Sequence, residues 1–307
     1  MRLTAMVLIA GSALGATNLP AGPPPTRGAP RPAVPAPVPR QPEGVQKVQQ
    51  APDAPPMPSD EQCAALPIPR SASAFPQGEV LDYDVDAMGA KAAKMTMKAL
   101  PAKDGAEPVE IHVETNTFFS KVRRVNGTGT SVLSLKNYHP LRYHEDAQED
   151  DIHRVAEVTF QPNHTVHLWS QVNDSNAEGS FRYAHDGLDV GGAIYFLRQA
   201  PLKEGQQICF DSYGIRRMWR VWGKVEPREH VSLPVGEFDA WHISGVAARI
   251  DNPNIRREIH VWISDDSKHL PLAALGSIDL GTVRATLVAY TRPGEKAKAE
   301  PKANLKW

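Results

Sequence analysis

Along residues 80–87 apolar and acidic positions alternate without a break: Leu81, Tyr83, Val85 and Ala87 are spaced by Asp82, Asp84 and Asp86. A period of two sends one set to a buried sheet face and the other to water, so this stretch predicts a strand. The next run repeats the pattern, with Met95, Met97 and Ala99 set against Lys94, Thr96 and Lys98. Met88-Gly89 between them predicts a tight hairpin connection. An acidic strand beside a lysine-bearing one adds cross-strand charge pairs worth a few tenths of a kcal/mol each at a surface. Further strands are predicted at 109–115, 131–135, 141–145, 155–160 and 164–170, then at 207–213, 216–226, 238–250, 255–263, 270–280 and 282–290. Asn126-Gly127 and Pro162-Asn163 read as turns between them.

One stretch breaks this texture: DGLDVGGAIYFLRQAP, residues 186–201, has the spacing of a helix. Asp186 or Asp189 can cap its start, Leu188, Ile194, Tyr195 and Leu197 fall on or near one face, and Pro201 ends it. Gly191 and Gly192 each cost about 1 kcal/mol against Ala in a helix interior, so packing must hold this helix. Small residues there also let a strand come close. The predicted fold is mainly β, a curved antiparallel sheet or half-barrel wrapped around one central helix.

The first quarter of the chain differs. Arg2, the apolar run Leu3 to Ala10 and the small residues around Ala13-Leu14-Gly15 have the anatomy of a secretory signal over 1–15. No Cys follows the apolar core, so a bacterial lipoprotein site is not expected. Residues 19–70 carry 16 of the 28 prolines, in runs such as GPPPTRGAPRPAVPAPVPRQP and DAPPMP. Proline at this density biases a chain to extended polyproline II and leaves too little apolar surface to offset ordering, so 16–70 reads as a Pro-rich disordered linker or tether. The domain then occupies 71–292, and 293–307, rich in Lys, Glu and Ala, reads as a disordered tail.

Among 307 residues the net charge is −1, which gives no basic field for nucleic acid. No apolar run is long enough to predict a transmembrane segment in the mature chain. Cys63 and Cys209 are the only cysteines, and an even count in an exported chain favours a disulfide. The expected address is periplasmic or otherwise exported.

Candidate chemistry is sparse. Six of the eleven histidines, His139, His144, His153, His164, His167 and His185, crowd one third of the chain beside acidic residues. His164 and His167, three apart on a strand, point to opposite faces and are poor joint ligands, and no HExxH run occurs, so no metal and no cofactor are expected. The acidic stretch 145–151 reads as an exposed loop. No nucleophile elbow is present, and Gly127 and Gly129 in NGTGT lack the third glycine and helix of a dinucleotide fingerprint. No catalytic residues are assigned, and an enzyme is not expected. Aromatics say more: Trp219 and Trp222, three apart, face opposite sides of a regular strand, Trp262 sits between Val261 and Ile263, and Trp241 adds a fourth.

The segments FPQGEVLDYDVDAMGAKAAKMTMKAL, DGLDVGGAIYFLRQAPLKEGQ, VSLPVGEFDAWHISG and IHVWISDDSKHLPLAALGSIDLGTVRATL occur here in that order. Over about 75–290 the chain resembles the domain-of-unknown-function family 3108 of bacterial exported proteins. The resemblance implies an exported protein with a curved antiparallel sheet, similar in outline to periplasmic lipoprotein carriers of the LolA and LolB kind, with no catalytic residues to carry over. The alternating strands, the small-residue helix and the aromatic supply motivate the expectation of a noncatalytic protein holding a lipid or other apolar ligand in its concave face, with Tyr83, Tyr195, Trp219, Trp222 and Trp262 as candidate liners. Two alternatives compete: an envelope assembly or scaffold protein working through protein contacts and its Pro-rich tether, and a hydrolase needing a cleft of His and carboxylate.

Overall fold

The computed structural model describes residues 55–67, 75–214, 217–278 and 281–293. The expected signal, leader residues 16–54 and 68–70, and the tail from 294 lie outside the described residues. The first eight strands are β1 (Val80–Ala87), β2 (Ala90–Ala99), β3 (Ala106–Thr115), β4 (Val125–Ser134), β5 (Pro140–Glu149), β6 (Ile152–Gln161), β7 (Thr165–Val172) and β8 (Ser175–Arg182). A short β9 (Gly187–Asp189) leads into the helix α1 (Val190–Gln199). There follow β10 (Gln207–Gly214), β11 (Arg217–Val225), β12 (Glu229–Leu233), β13 (Gly236–Arg249), β14 (Arg256–Ser264), β15 (Pro271–Ile278) and β16 (Gly281–Thr291).

All sixteen strands belong to one sheet, ordered β8-β7-β6-β5-β4-β3-β2-β1-β16-β15-β14-β13-β11-β10-β9, with β12 paired to β13. The sheet has two ends and is not closed. Every pairing is antiparallel, most through hairpins but β1–β16 and β11–β13 between strands not consecutive in the chain, except β9 with β10, which is parallel because α1 carries the chain between them. Although β5–β8 and β10–β11 lie at opposite ends of the strand order, Tyr143, Val158, Phe160 and Leu168 pack in one cluster with Tyr213 and Met218. The sheet is therefore curled until its ends share a core.

Alternation placed these strands as expected. In β1, Leu81, Tyr83, Val85 and Ala87 are buried while the aspartates between them are not, and in β2, Met95, Met97 and Ala99 are buried. Met88 and Gly89 both have positive φ, as a two-residue hairpin turn requires, and Lys91 reaches across to pair with Asp84. The half-barrel around one helix is what the structure shows.

Four local expectations are corrected. The helix begins at Val190, with Asp189 as its cap, whereas 187–189 form β9 and Asp186 binds elsewhere. Asn126-Gly127 does not turn but runs within β4, where a Cβ at Gly127 would lie 2.8 Å from that of Ala147 on β5. The acidic stretch expected as a loop is largely strand β5, and its inward-facing Glu145 and Glu149 are buried. They are partnered there by arginines: Arg154 Nε meets Glu145 at 2.6 Å and Arg123 Nε meets Glu149 at 2.8 Å. Strands β8 and β12 were not anticipated, because β8 is mostly polar with no fully buried face and β12 is only five residues long.

Part of the expected linker is held in place. Cys63 and Cys209 form a disulfide that fastens the 55–67 segment to β10. Arg220 donates to Pro58 O (2.8 Å) and Asp60 Oδ1 (2.6 Å) while gripping buried Asp211 with two further bonds. Leu66 N donates to Asp186 Oδ2 at 2.7 Å. The bridged cysteines are 146 residues apart, for which loop-closure entropy gives an upper figure of about 5 kcal/mol. Replacing both cysteines with alanine is expected to lower unfolding free energy by about 2–5 kcal/mol in denaturant titrations, and excess reductant should do the same to the wild-type protein.

Candidate functional site

Helix α1 sits on the concave face, and every residue from Val190 to Arg198 is buried. Asp189 starts it by accepting from Gly192 N at 2.9 Å, and Ser131 on β4 donates to the same carboxylate oxygen. Burial pushes the Asp189 carboxyl up to about 6, against those stabilising hydrogen bonds. The two glycines are explained by β4 and β3: a Cβ on Gly191 would lie 2.8 Å from Ser131 Oγ and 3.3 Å from Ile111 Cδ1. Close approach is made by side chains of the sheet.

One side of the helix is apolar. Val190, Ala193, Ile194 and Leu197, at the i, i+3, i+4, i+7 spacing of a single stripe, face β10, β11, β13 and β14 across an apolar hollow of about 60 Å³. Its sheet wall is Ile208, Phe210, Trp219, Val221, Ile243, Ile259 and Val261. The hollow exists because Gly223 on β11 stands opposite Gly245 on β13, where the two backbones lie too close for a Cβ. A Cβ on Gly223 would fall 2.0 Å from Ser244 O, so no other residue fits without moving a strand. Two adjacent inward positions thus carry no side chain.

The other side of the helix is polar at its C-terminal end. Arg198 is completely buried and forms a two-bonded pair with Glu79, at 2.7 and 3.1 Å, while also donating to His269 O at 2.9 Å. Its guanidinium lies 4.2 Å from the centre of the Phe75 ring and 5.0 Å from that of Tyr195. Glu107 on β3 accepts from Phe75 N at 3.3 Å, and its Oε1 has no hydrogen-bond partner. Burial raises the Glu107 carboxyl to about 7, opposed by the Phe75 amide and by Arg198. Tyr83, whose hydroxyl donates to Pro271 O at 2.7 Å, and Tyr195 are both pushed up by burial.

The five candidate liners separate. Trp219 lines the hollow. Trp222 borders it beside Gly223, but it alternates to the other face and packs with Cys63, Cys209, Val246 and Ala248. Trp262 also faces outward, stacked on His242 with ring centres 4.5 Å apart. Tyr83 and Tyr195 are core residues in the region of the Arg198–Glu79 pair. Sequence reading missed the glycine pair and the buried Arg198, Glu79 and Glu107. Glycine inside an alternating strand was the available signal, but its meaning depends on which glycine stands opposite.

The family model for proteins of unknown function DUF3108 matches residues 82–288. The chain belongs to this family. No curated protein matches it. Among solved structures, this DUF3108 chain is similar to the beta-barrel-like protein of domain of unknown function DUF1849 from Brucella abortus, at 8% identity and TM-score 0.48, covering 72% of this chain and 100% of that one. It is also similar to a putative exported protein with YmcC-like fold from Bacteroides fragilis NCTC 9343, at 7% identity and TM-score 0.33, covering 72% and 100%. A putative lipoprotein from Parabacteroides distasonis ATCC 8503 matches at 8% identity and TM-score 0.30, covering 71% and 97%.

Two measurements test the polar end of the site in this DUF3108 domain. Arg198→Met leaves Glu79 charged and buried, and is expected to cost about 3–5 kcal/mol in equilibrium unfolding, part of which Glu79→Gln in the same chain should restore. Glu107 has a folded pKa raised from 4.5 to about 7, so its stabilising contribution is full below 4.5 and is lost as pH rises through 7. Glu107→Gln should therefore remove a decline in stability between pH 4.5 and 7 that the wild-type protein shows in urea titrations.

Proposed function

We propose that this protein is a noncatalytic exported, periplasmic protein that takes an apolar ligand, a lipid acyl chain, into the hollow between α1 and the β10–β14 wall. The observation that carries this reading is the hollow itself: lined almost wholly by apolar side chains, with Ser212 at its wall, and bordered by the facing pair Gly223 and Gly245. A void this poor in polar groups offers too few hydrogen-bond partners to retain water well and gains free energy from an alkyl occupant. Its size suits the end of a chain, a few methylenes, with the remainder running outward past half-buried Val261.

The location rests on the Cys63–Cys209 disulfide, which belongs to an oxidising compartment, together with the signal pattern over 1–15. The noncatalytic reading is supported by the ion pairs of three buried acids: Glu79, Glu145 and Asp211 are each bound to a guanidinium, which occupies their oxygens in structural contacts. A second reading, an envelope scaffold, draws on β8, the terminal strand of the sheet, whose outer edge offers unpaired backbone groups to another chain.

Ala193→Leu separates these readings, because it extends a side chain into the hollow from the helix side. The wild-type protein is expected to take up a fluorescent polyene fatty acid, and the variant to lose that uptake while gaining roughly 0.5–2 kcal/mol of stability from cavity filling. Wild-type protein that ignores the fatty acid, or a variant that binds it equally well, would reject the hollow as the site and favour the scaffold.

A further inference from the structure

On the convex face, away from the hollow, β12, β13 and β14 bring four side chains into a line: Glu229, His242, His260 and Glu258. Glu229 Oε1 lies 2.6 Å from His242 Nδ1, and Glu258 Oε1 lies 2.9 Å from His260 Nε2. The two remaining ring nitrogens, His242 Nε2 and His260 Nδ1, face each other at 2.9 Å. A carboxylate only accepts, so each imidazole must place its hydrogen on the nitrogen next to its glutamate. Two neutral rings carry one hydrogen each, and both are then committed. The facing nitrogens are left as two bare lone pairs 2.9 Å apart, a repulsion relieved by one shared proton or by a metal ion bound to both, since two bonds of about 2.1 Å at a right angle span this distance.

We infer that His242 and His260 form a binding site for a divalent transition-metal ion of the Zn2+ or Ni2+ class. A carboxylate holding the far nitrogen of each ligand imidazole fixes the tautomer and raises ligand basicity, which is how metal-binding histidines are supported. The rings are also held in orientation: His242 is stacked on Trp262 with their planes 9° apart, and the cross-strand register sets His242 opposite Trp262 and Ser244 opposite His260. Both histidines are only partly exposed, at 17% and 21%, so the pair is preorganised yet reachable from solvent. Among the described residues no group of three or more His, Cys, Asp or Glu is gathered for a metal, so the protein donors of this site are the two imidazoles alone. Imidazole donors select Zn2+, Ni2+ and Cu2+ over Mg2+, whose preference is for oxygen. This site is independent of the hollow and of its ligand.

The full exported chain, stripped with chelator and desalted, is titrated with Ni2+, Zn2+ and Mg2+ by calorimetry and by tryptophan fluorescence. One Ni2+ or Zn2+ per chain is expected, Ni2+ quenching Trp262 across the His242 ring, with no response to Mg2+. His242→Ala and His260→Ala should abolish the binding, Glu258→Gln should weaken it by ~10-fold through the lost support, and His153→Ala, on a distant strand, should leave it unchanged. Trp262→Phe should keep the heat of binding and lose the quench. Absence of binding in the wild-type chain overturns the site and leaves a shared proton as the cation. Binding that survives His242→Ala or His260→Ala, or that falls equally with His153→Ala, also overturns it. Glu258→Gln, altered at an exposed carboxylate, keeps the test decisive if an alanine variant fails to fold.

Discussion

A ten-residue helix buried along nearly its whole length is the constraint around which this molecule is arranged. α1 is too short and too rich in glycine to persist in water, so its stability comes from the sheet that encloses it. Both of its ends carry charge into that enclosure. At the start, Asp189 must be met by Ser131 and by the helix amides, and near the end Arg198 must be met by Glu79. Each partner lies on a different part of the sheet, Ser131 on β4 and Glu79 just before β1, so the helix fixes how far the sheet curls. The parallel β9–β10 pair follows from the same feature, since α1 is the crossover that returns the chain in the same direction.

The two sides of the helix therefore have different physics. Toward β1–β3 the space is filled and polar, with Arg198 spread over Glu79, His269 O, Phe75 and Tyr195. Burying that pair gains little net free energy, but a helix displaced from it would strand a charge, which makes the position unforgiving. Toward β10–β14 the space is apolar and incompletely filled, because Gly223 and Gly245 bring two strand backbones together in place of side chains. Rigidity on one side and vacancy on the other is the arrangement that the proposed uptake of an apolar guest would use.

The strands were legible where burial is one-sided. β1 reads directly from Leu81, Tyr83 and Val85 against three aspartates, because water on one face and core on the other impose a strict period of two. β5 misled for the same reason in reverse. Glu145 and Glu149 point inward, which Arg154 and Arg123, from β6 and the segment before β4, and the Tyr143 hydroxyl make tolerable. The liner residues show the same limit. Trp219 and Trp222 were correctly set on opposite faces by their spacing, yet which face was concave could not be read from either one. Trp262 proved to be on the outside, where His242 and His260 join it, two histidines eighteen residues apart.

By itself the sequence determined the class of fold, the position and polarity of most strands, the one helix, the pairing of two cysteines and the family. These depend on local periodicity, on turn chemistry and on counting, all of which are written along the chain. Tertiary structure decided which glycines face each other, which carboxylates are buried with a guanidinium, and where four side chains align across β12–β14. Those are properties of register and curvature. A shift of one residue between neighbouring strands would carry every side chain to the opposite face, and nothing within a single strand records the register of the next.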